Sequence, residues 1–65
     1  YNTFWNGLRE SVRIETARGK SKSYIYRQIS NQVNEFVGNG FITAAEGKQM
    51  RAAAQSYYAT QARRR

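Results

Sequence analysis

The sequence has 65 residues, of which eleven are Lys or Arg and four are Glu, so its formal net charge is +7. A chain of this length forms one domain at most, residues 1–65, with a small core. It contains no Cys and no His, which excludes disulfides, thiolate metal sites and the commonest catalytic bases. We therefore expect no enzymatic activity, no catalytic residues, no cofactor and no bound metal.

The apolar content is low for a chain that folds alone. Leu, Ile, Val and Phe together account for 11 of the 65 residues, below the roughly 20% that usually separates ordered from disordered chains at high net charge. The composition predicts either a marginally stable monomer or a fold completed by a homodimer contact or a larger protein partner, and we favour the second. No apolar run approaches the ~20 residues of a membrane-spanning helix, so we expect no membrane partner.

The first predicted helix covers residues 3–17. Phe4, Leu8 and Val12 recur at four-residue intervals and so share one helical face. Within this segment, residues 12–16 also alternate apolar and polar side chains, as a half-buried strand does. We favour the helix over the strand, because the apolar face that begins at Phe4 continues through these residues and no partner strand is evident.

The second predicted helix covers residues 22–37. Ile25, Ile29 and Val33 lie on one face at four-residue spacing, and Gln and Asn occupy much of the opposite face, as an amphipathic helix requires. Residues 38–40 are Gly-Asn-Gly, and both residue types tolerate the positive φ angle at which helices commonly end. This run therefore predicts the end of the helix and a tight turn.

The third predicted helix covers residues 44–63. At 1.5 Å per residue it is roughly 30 Å long, longer than the second helix. Tyr57 and Tyr58 stand among alanines on this helix. They can cover Trp5 and Leu8 at the edge of the core, or they can form a homodimer face, and we favour the first interpretation.

Side chains that can accept a free N–H of the first helical turn precede or begin each predicted helix: Asn2 or Thr3, Ser21 or Ser23, and Thr43. Thr43 and Glu46 have the spacing of a capping box. Phe41 and Ile42, in the connection before this cap, are expected to pack between the two helices. The sequence therefore predicts an all-α fold, a small three-helix bundle with a capped helical hairpin at its centre.

Basic residues and tyrosines concentrate around the start of the second helix. Helix N-terminal N–H groups bind phosphate readily, and tyrosines supply phosphate hydrogen bonds or base stacking. An arginine run at the C-terminus forms a second basic cluster. The predicted nucleic-acid-binding residues are Arg18, Lys20, Ser21, Lys22, Ser23, Tyr24, Tyr26, Arg27, Arg63, Arg64 and Arg65.

Tyr24 and Tyr26 cannot both belong to the apolar face of the second helix, so at least one of them should be exposed. The alternative is that the loop is only solvated and that the tyrosines cover the edge of the core. The remaining basic residues are interpreted as a diffuse background: Arg9, Arg13, Lys48 and Arg51.

The run from Gly19 to Ile29, GKSKSYIYRQI, resembles the loop and second-helix start of ribbon-helix-helix DNA-binding proteins, in which a G-basic-S-basic-S loop precedes an apolar helix that contains Arg. In that family the serine-capped helix start and its loop lie against DNA phosphate. The resemblance implies phosphate contacts by Lys20, Ser21, Lys22 and Ser23. The family's base-reading β-ribbon would correspond only to residues 1–4 here, and taking residues 12–16 as the ribbon loses the loop match.

We expect a small basic nucleic-acid-binding protein without catalysis, with DNA favoured over RNA, that contacts phosphates through the basic loop, the helix start and the Arg-rich C-terminus. It would be cytoplasmic or virion-associated, and would suit a phage or plasmid protein. The alternative is a protein-interaction module, an inhibitor or an assembly or virion component, that binds an acidic surface of a larger partner. Membrane-surface binding ranks last, because no predicted helix has a broad apolar face flanked by lysines.

Overall fold

The computed structural model describes residues 1–64, and its regular elements are all helices. Helix α1 covers Asn2–Ala17, α2 covers Lys22–Gly38 and α3 covers Ala44–Arg63. Each helix packs against the other two. The predicted all-α fold with three helices is therefore confirmed, and residues 1–64 contain no strand. Helix α1 begins one residue before its predicted start and α2 ends one residue after its predicted end, whereas the other bounds are as predicted.

Burial along α1 explains why the alternating segment is helical. The buried residues of α1 are Leu8, Val12 and Thr16, which follow one another at four-residue intervals. Ile14, which a strand would place in the core beside Val12, is 36% exposed. The hydroxyl of the buried Thr16 donates to the carbonyl of Val12 at 2.7 Å, so its polar group is satisfied inside the helix.

The core draws on all three helices and the second turn. Its buried hydrophobic members are Leu8, Val12, Ile25, Ile29, Val33, Ile42, Met50 and Ala54. Partly buried aromatic side chains pack around this cluster and enlarge it, among them Tyr57 and Tyr58. The two α3 tyrosines therefore pack against the core as the favoured interpretation expects, but the ring that Tyr58 meets is that of Tyr26 and not Trp5.

Both turns end the preceding helix with a glycine in the left-handed conformation. Gly19 and Gly40 have φ angles of 80° and 76°, which glycine adopts without a steric penalty. After α1, the N–H of Gly19 donates to the carbonyl of Thr16 at 3.0 Å, and the N–H of Lys20 donates to that of Glu15 at 3.2 Å. The same pair of bonds accompanies Gly40 after α2, so both turns are Schellman motifs.

Side-chain caps begin α2 and α3. The N–H of Tyr24 donates to Ser21 Oγ at 3.1 Å. Glu46 N–H donates to Thr43 Oγ1 at 3.0 Å, and Thr43 N–H donates to Glu46 Oε1 at 2.8 Å, which is a capping box. The expected caps of α1 are wrong, because that helix already begins at Asn2 and has no side-chain cap.

Glu46 makes the stability of the fold depend on pH. The backbone N–H of Thr43 donates to its carboxylate and holds the pKa of Glu46 below its ordinary value of 4.5. A carboxyl whose pKa is lower in the folded chain contributes stability above its unfolded pKa, and this contribution is lost as the pH falls through the folded pKa. We therefore expect the Glu46→Gln variant to lose less stability than the unchanged chain as the pH drops below 4.5.

Urea unfolding followed by circular dichroism, at several pH values between about 3 and 6, measures this difference. Glu35→Gln removes the same charge from an exposed position on α2 and is the matched control. If Glu46→Gln and Glu35→Gln follow the same pH dependence, the capping carboxylate does not contribute in the way described.

Gly47 lies where α3 crosses α2, and it is buried. A Cβ atom at this position would stand 2.6 Å from Val37 Cγ2 and 3.2 Å from Val33 Cγ1. Only glycine leaves room for this approach, which holds the two helices side by side.

The bundle measures 34 × 18 × 15 Å, and no helix within residues 1–64 is long and apolar enough to cross a membrane.

The turn between α2 and α3 differs from its prediction in one residue. Ile42 is buried as expected, but Phe41 is 56% exposed, because it packs on α1 at the end of the bundle and not between α2 and α3. Its ring stacks on that of Phe4 at a centroid distance of 5.0 Å, and Phe4 meets Phe36 at 4.9 Å. We call these three phenylalanines the aromatic end of the bundle.

Candidate functional site

Most of the predicted binding residues meet at the end of the bundle opposite the aromatic end. Tyr26 meets Tyr58 at a centroid distance of 5.8 Å. Gly47 contacts Val37 of α2. Tyr58 lies eleven residues after Gly47 and Tyr26 lies eleven residues before Val37, so α2 and α3 keep one antiparallel register over this length. The same register brings the last turn of α3, with Arg63, level with Ser21 at the start of α2.

We call this region the basic end. It consists of Arg18, Lys20, Ser21, Lys22, Ser23, Arg63 and Arg64. Each member is exposed. Arg27 is also exposed but lies five residues after Lys22, about 7.5 Å further along α2. Arg65, which was predicted together with these residues, lies outside the described part of the chain.

The start of α2 has the local features of an anion site. Ser21 caps the helix, and the first turn contains no acidic residue. Free N–H groups and the positive end of the helix dipole face this end. Lys20 and Lys22 flank the cap in sequence, so positive side chains and the N–H groups of the helix are presented together.

The lysines beside the cap are held by tyrosine rings. Lys20 Nζ lies 5.1 Å from the ring centroid of Tyr24, and Lys22 Nζ lies 5.3 Å from that of Tyr26. An ammonium group at this distance is attracted to the negative face of the ring. Lys22 and Tyr26 both belong to α2, and their four-residue spacing lets the two side chains meet on one side of the helix, whereas Lys20 reaches Tyr24 from the turn before the cap.

The expectation that Tyr24 or Tyr26 would be exposed is wrong. Both are half-buried, because both pack against the hydrophobic core. Tyr26 also meets the edge of Tyr58. The tyrosines therefore position lysines and cover the core, and a base could stack on the lysine-bearing faces only after the lysines move.

Carboxylates neutralise α1 far more than the other two helices. Arg18 Nη1 lies 3.1 Å from Glu15 Oε1. Arg13 Nε donates to Glu10 Oε2 at 3.1 Å, and this bond holds the pKa of Glu10 below its ordinary value of 4.5. The two glutamates of α1 are thus both paired with arginines of the same region.

The other cations of the basic end are not paired in this way. No ion pair joins any of the four glutamates to the following residues: Lys20, Lys22, Arg63 and Arg64. Arg63 and Arg64 stand at the C-terminal, negative end of α3, where the helix dipole favours positive charge. Local structure therefore explains their position, and their charge remains available to an anionic partner.

A small open groove lies between α1 and α2. Its volume is about 20 Å³, roughly room for one water molecule. Its lining residues are Leu8, Ser11, Val12, Glu15, Ile25, Gln28, Ile29 and Gln32. The groove is too small for an organic ligand, and no cluster of three or more acidic, His or Cys side chains that could hold a metal exists within residues 1–64.

Two basic residues that the sequence analysis assigned to the background have a definite place. Lys48 is exposed and Arg51 is half-buried, and both follow Gly47 on α3. Gly47 was a partial signal for them: a glycine inside an otherwise good helix can serve a close helix contact, as Gly47 does, but Gly7 inside α1 has open space around it. The glycine alone does not identify the helix that it contacts, and the place of Lys48 and Arg51 beside α2 follows only from the antiparallel register of α2 and α3.

Comparison of the chain with protein-family models, curated proteins and solved structures finds no match. The resemblance to ribbon-helix-helix proteins is confined to the loop and the start of α2. Of residues 1–4, which would stand in place of the ribbon, residues 2–4 already form the first turn of α1, and residues 12–16 lie inside that helix.

Proposed function

We propose that this protein binds nucleic acid without catalysing a reaction, and that the basic end contacts phosphates. The observation that supports the proposal is the convergence, at one end of the bundle, of a serine-capped helix start with two lysines and two arginines that form no ion pair with any of the four glutamates. Helix N–H groups and nearby cations together form a common phosphate-binding arrangement. DNA is the favoured form, because the loop resembles one that lies against DNA phosphate, and the proposed location is the cytoplasm or a virion, as in a phage or plasmid protein.

Lys20 and Lys22 are suited to phosphate binding because contacts with tyrosine rings restrict their motion. Lys20 and Lys22 each rest over a tyrosine ring, so part of the entropy that a mobile side chain loses on binding has already been lost. Binding through such contacts releases counterions from the nucleic acid, and the affinity therefore falls steeply with salt concentration.

Fluorescence anisotropy of labelled duplex and single-stranded DNA and RNA, at about 50 and 200 mM salt, tests the proposal. The double variant Lys20→Gln with Lys22→Gln should bind at least tenfold more weakly at the lower salt. The slope of log affinity against log salt concentration should become less steep by about two. Arg9→Gln with Arg13→Gln, on α1, removes the same charge and should have a much smaller effect. Absence of binding by the unchanged chain at the lower salt would refute the function.

A protein-interaction module is the second candidate, and the exposure of the aromatic end favours it. Phe41, one of its three phenylalanines, is 56% exposed, and Tyr1, which precedes α1, is 42% exposed, so apolar surface is available to a protein partner that also offers acidic groups to the basic end. The variant Phe41→Ser separates the two functions: it should leave nucleic-acid affinity unchanged but weaken a protein contact.

Dimerisation belongs to the same proposal. A second copy would meet the first at the aromatic end, because the unpaired cations repel one another at the basic end. In this homodimer the two bundles would join at their aromatic ends, and the basic end of each copy would remain free. Sedimentation equilibrium of the unchanged chain and of Phe41→Ser tests this arrangement, and a monomer at millimolar concentration would rule it out.

A further inference from the structure

We propose that the nucleic-acid-binding surface continues from the basic end along the edge where α2 meets α3, and that Lys48 and Arg51 contact phosphates there. This inference rests on the proposed function. It extends the contact from one end of the bundle to a lengthwise track, which we call the α2–α3 edge.

The position of Arg51 follows from the two contacts that α3 makes with α2. Gly47 contacts Val33 and Val37, and Tyr58 contacts Tyr26. Arg51 lies four residues after Gly47 and seven before Tyr58, and both separations keep a residue on one side of a helix.

Lys48 accompanies Arg51 on this side of α3. It stands three residues before Arg51 and is exposed, and residues three apart are neighbours on a helix surface. Two cations of α3 therefore border α2 in the half of the bundle remote from the basic end.

The facing side of α2 begins with a cation and continues with neutral polar residues. Lys22 rests over Tyr26, whose ring touches α3, so Lys22 borders the same interface. Ser30 and Asn34 follow Tyr26 at four-residue intervals. They carry hydrogen-bonding groups and no charge, and such side chains commonly contact phosphate and sugar oxygens.

The glutamates lie away from this edge. Glu10 belongs to α1, and Glu15 lines the groove between α1 and α2. Glu35 follows Gln28 and Gln32 of that groove at helical spacing and so faces the α1 side of α2.

The remaining glutamate, Glu46, is held at the first turn of α3 by Thr43. The α2–α3 edge consequently combines cations from both helices, whereas the acidic groups are on or near α1 or in the cap. An edge with cations near both ends and no acidic group between them attracts a polyanion along its length.

Arg51 itself lacks an acceptor. Its Nε atom is buried without a hydrogen-bond partner within the described residues, and it forms no ion pair with any of the four glutamates. Buried donors in native proteins are almost always paired. A phosphate at this edge would give the outer N–H groups of the guanidinium an anionic acceptor, which none of the four glutamates supplies.

The α2–α3 edge is long enough to contact several phosphates. Gly47 contacts Val33 and Val37, which places Arg51 near the level of Val33. Eleven residues of helix separate Lys22 from Val33, which is about 16 Å along the axis and corresponds to roughly five phosphate spacings on one strand of a duplex.

The test compares charge-matched double variants on a labelled DNA duplex of about 20 base pairs, which is longer than the bundle. Lys48→Gln with Arg51→Gln should weaken binding about five- to tenfold at low salt and lower the salt slope by about two. Arg9→Gln with Arg13→Gln, which removes equal charge from α1, should change affinity less than about twofold and leave the slope near that of the unchanged chain.

Circular dichroism of each variant checks that the fold is retained. Because Arg51 is half-buried, Lys48→Gln alone provides a second test at an exposed position, with a slope change of about one. The inference is overturned if the unchanged chain binds, Lys20→Gln with Lys22→Gln weakens that binding, and the Lys48 and Arg51 variants behave like the α1 control. In that outcome the proposed function stands, whereas failure of the unchanged chain to bind overturns both.

Discussion

Replacing Ile29 with alanine is expected to lower the free energy of unfolding by about 2–5 kcal/mol. Ile29 is 0% exposed and lies midway along α2, within a core to which all three helices contribute. The substitution removes buried apolar contacts and leaves a cavity. A chain of this size has a total stability of about 3–10 kcal/mol, so much of the fold's stability depends on this one side chain.

Thermal and urea unfolding followed by circular dichroism measure the effect. Ile14→Ala is the matched control, because Ile14 is 36% exposed on α1 and should change stability by less than about 1 kcal/mol. Similar unfolding of the two variants would mean that the apolar cluster around Ile29 does not hold the bundle together.

Gly47→Val is expected to destabilise the fold by about 3 kcal/mol or more, because it forces atoms into a filled interface. A Cβ atom alone would stand 2.6 Å from Val37 Cγ2. Valine side chains are stiff at χ1, so Val37 cannot turn aside at little cost. The two helices would have to separate, and the antiparallel register between Tyr26 and Tyr58 would be disturbed.

Gly7→Ala gives the opposite result at a glycine that has space. Nothing lies within 4 Å of a Cβ atom built on Gly7, and alanine favours a helix by about 1 kcal/mol relative to glycine. We expect Gly7→Ala to raise the unfolding midpoint and Gly47→Val to lower it. If both glycines respond alike, helix propensity and not packing dominates at Gly47.

Local chemistry made the helices predictable. The four-residue spacing of Ile25, Ile29 and Val33 marks the buried face of α2, and glycines with positive φ close the turns where the sequence contains Gly19 and Gly40. These signals act over a few residues, so they can be read without knowing the tertiary structure.

The placement of the candidate site could be predicted only in part. The cap at Ser21 and its neighbouring lysines are local features, but the grouping of Arg63 with them depends on how α3 lies along α2. The same register decides where Lys48 and Arg51 stand. It follows from the close approach at Gly47, a contact between residues distant in sequence that periodicity does not specify.

Phe41 and the two tyrosines of α2 show a second limit of the pattern. An apolar residue in a short connection can point inward, as Ile42 does, or outward, as Phe41 does. Tyr24 and Tyr26 lie off the central apolar stripe but still reach the core, because a long aromatic side chain can cover its edge.

The two short turns also determine how quickly the chain can fold. Only residues 18–21 and 39–43 connect the helices, so bringing neighbouring helices together loses little chain entropy. Helical bundles rich in local contacts fold in about microseconds to milliseconds. The sequence contains no Pro and no Cys, so neither prolyl isomerisation nor disulfide exchange adds a slow step. A chain that has unfolded can thus recover the complete bundle well within a second.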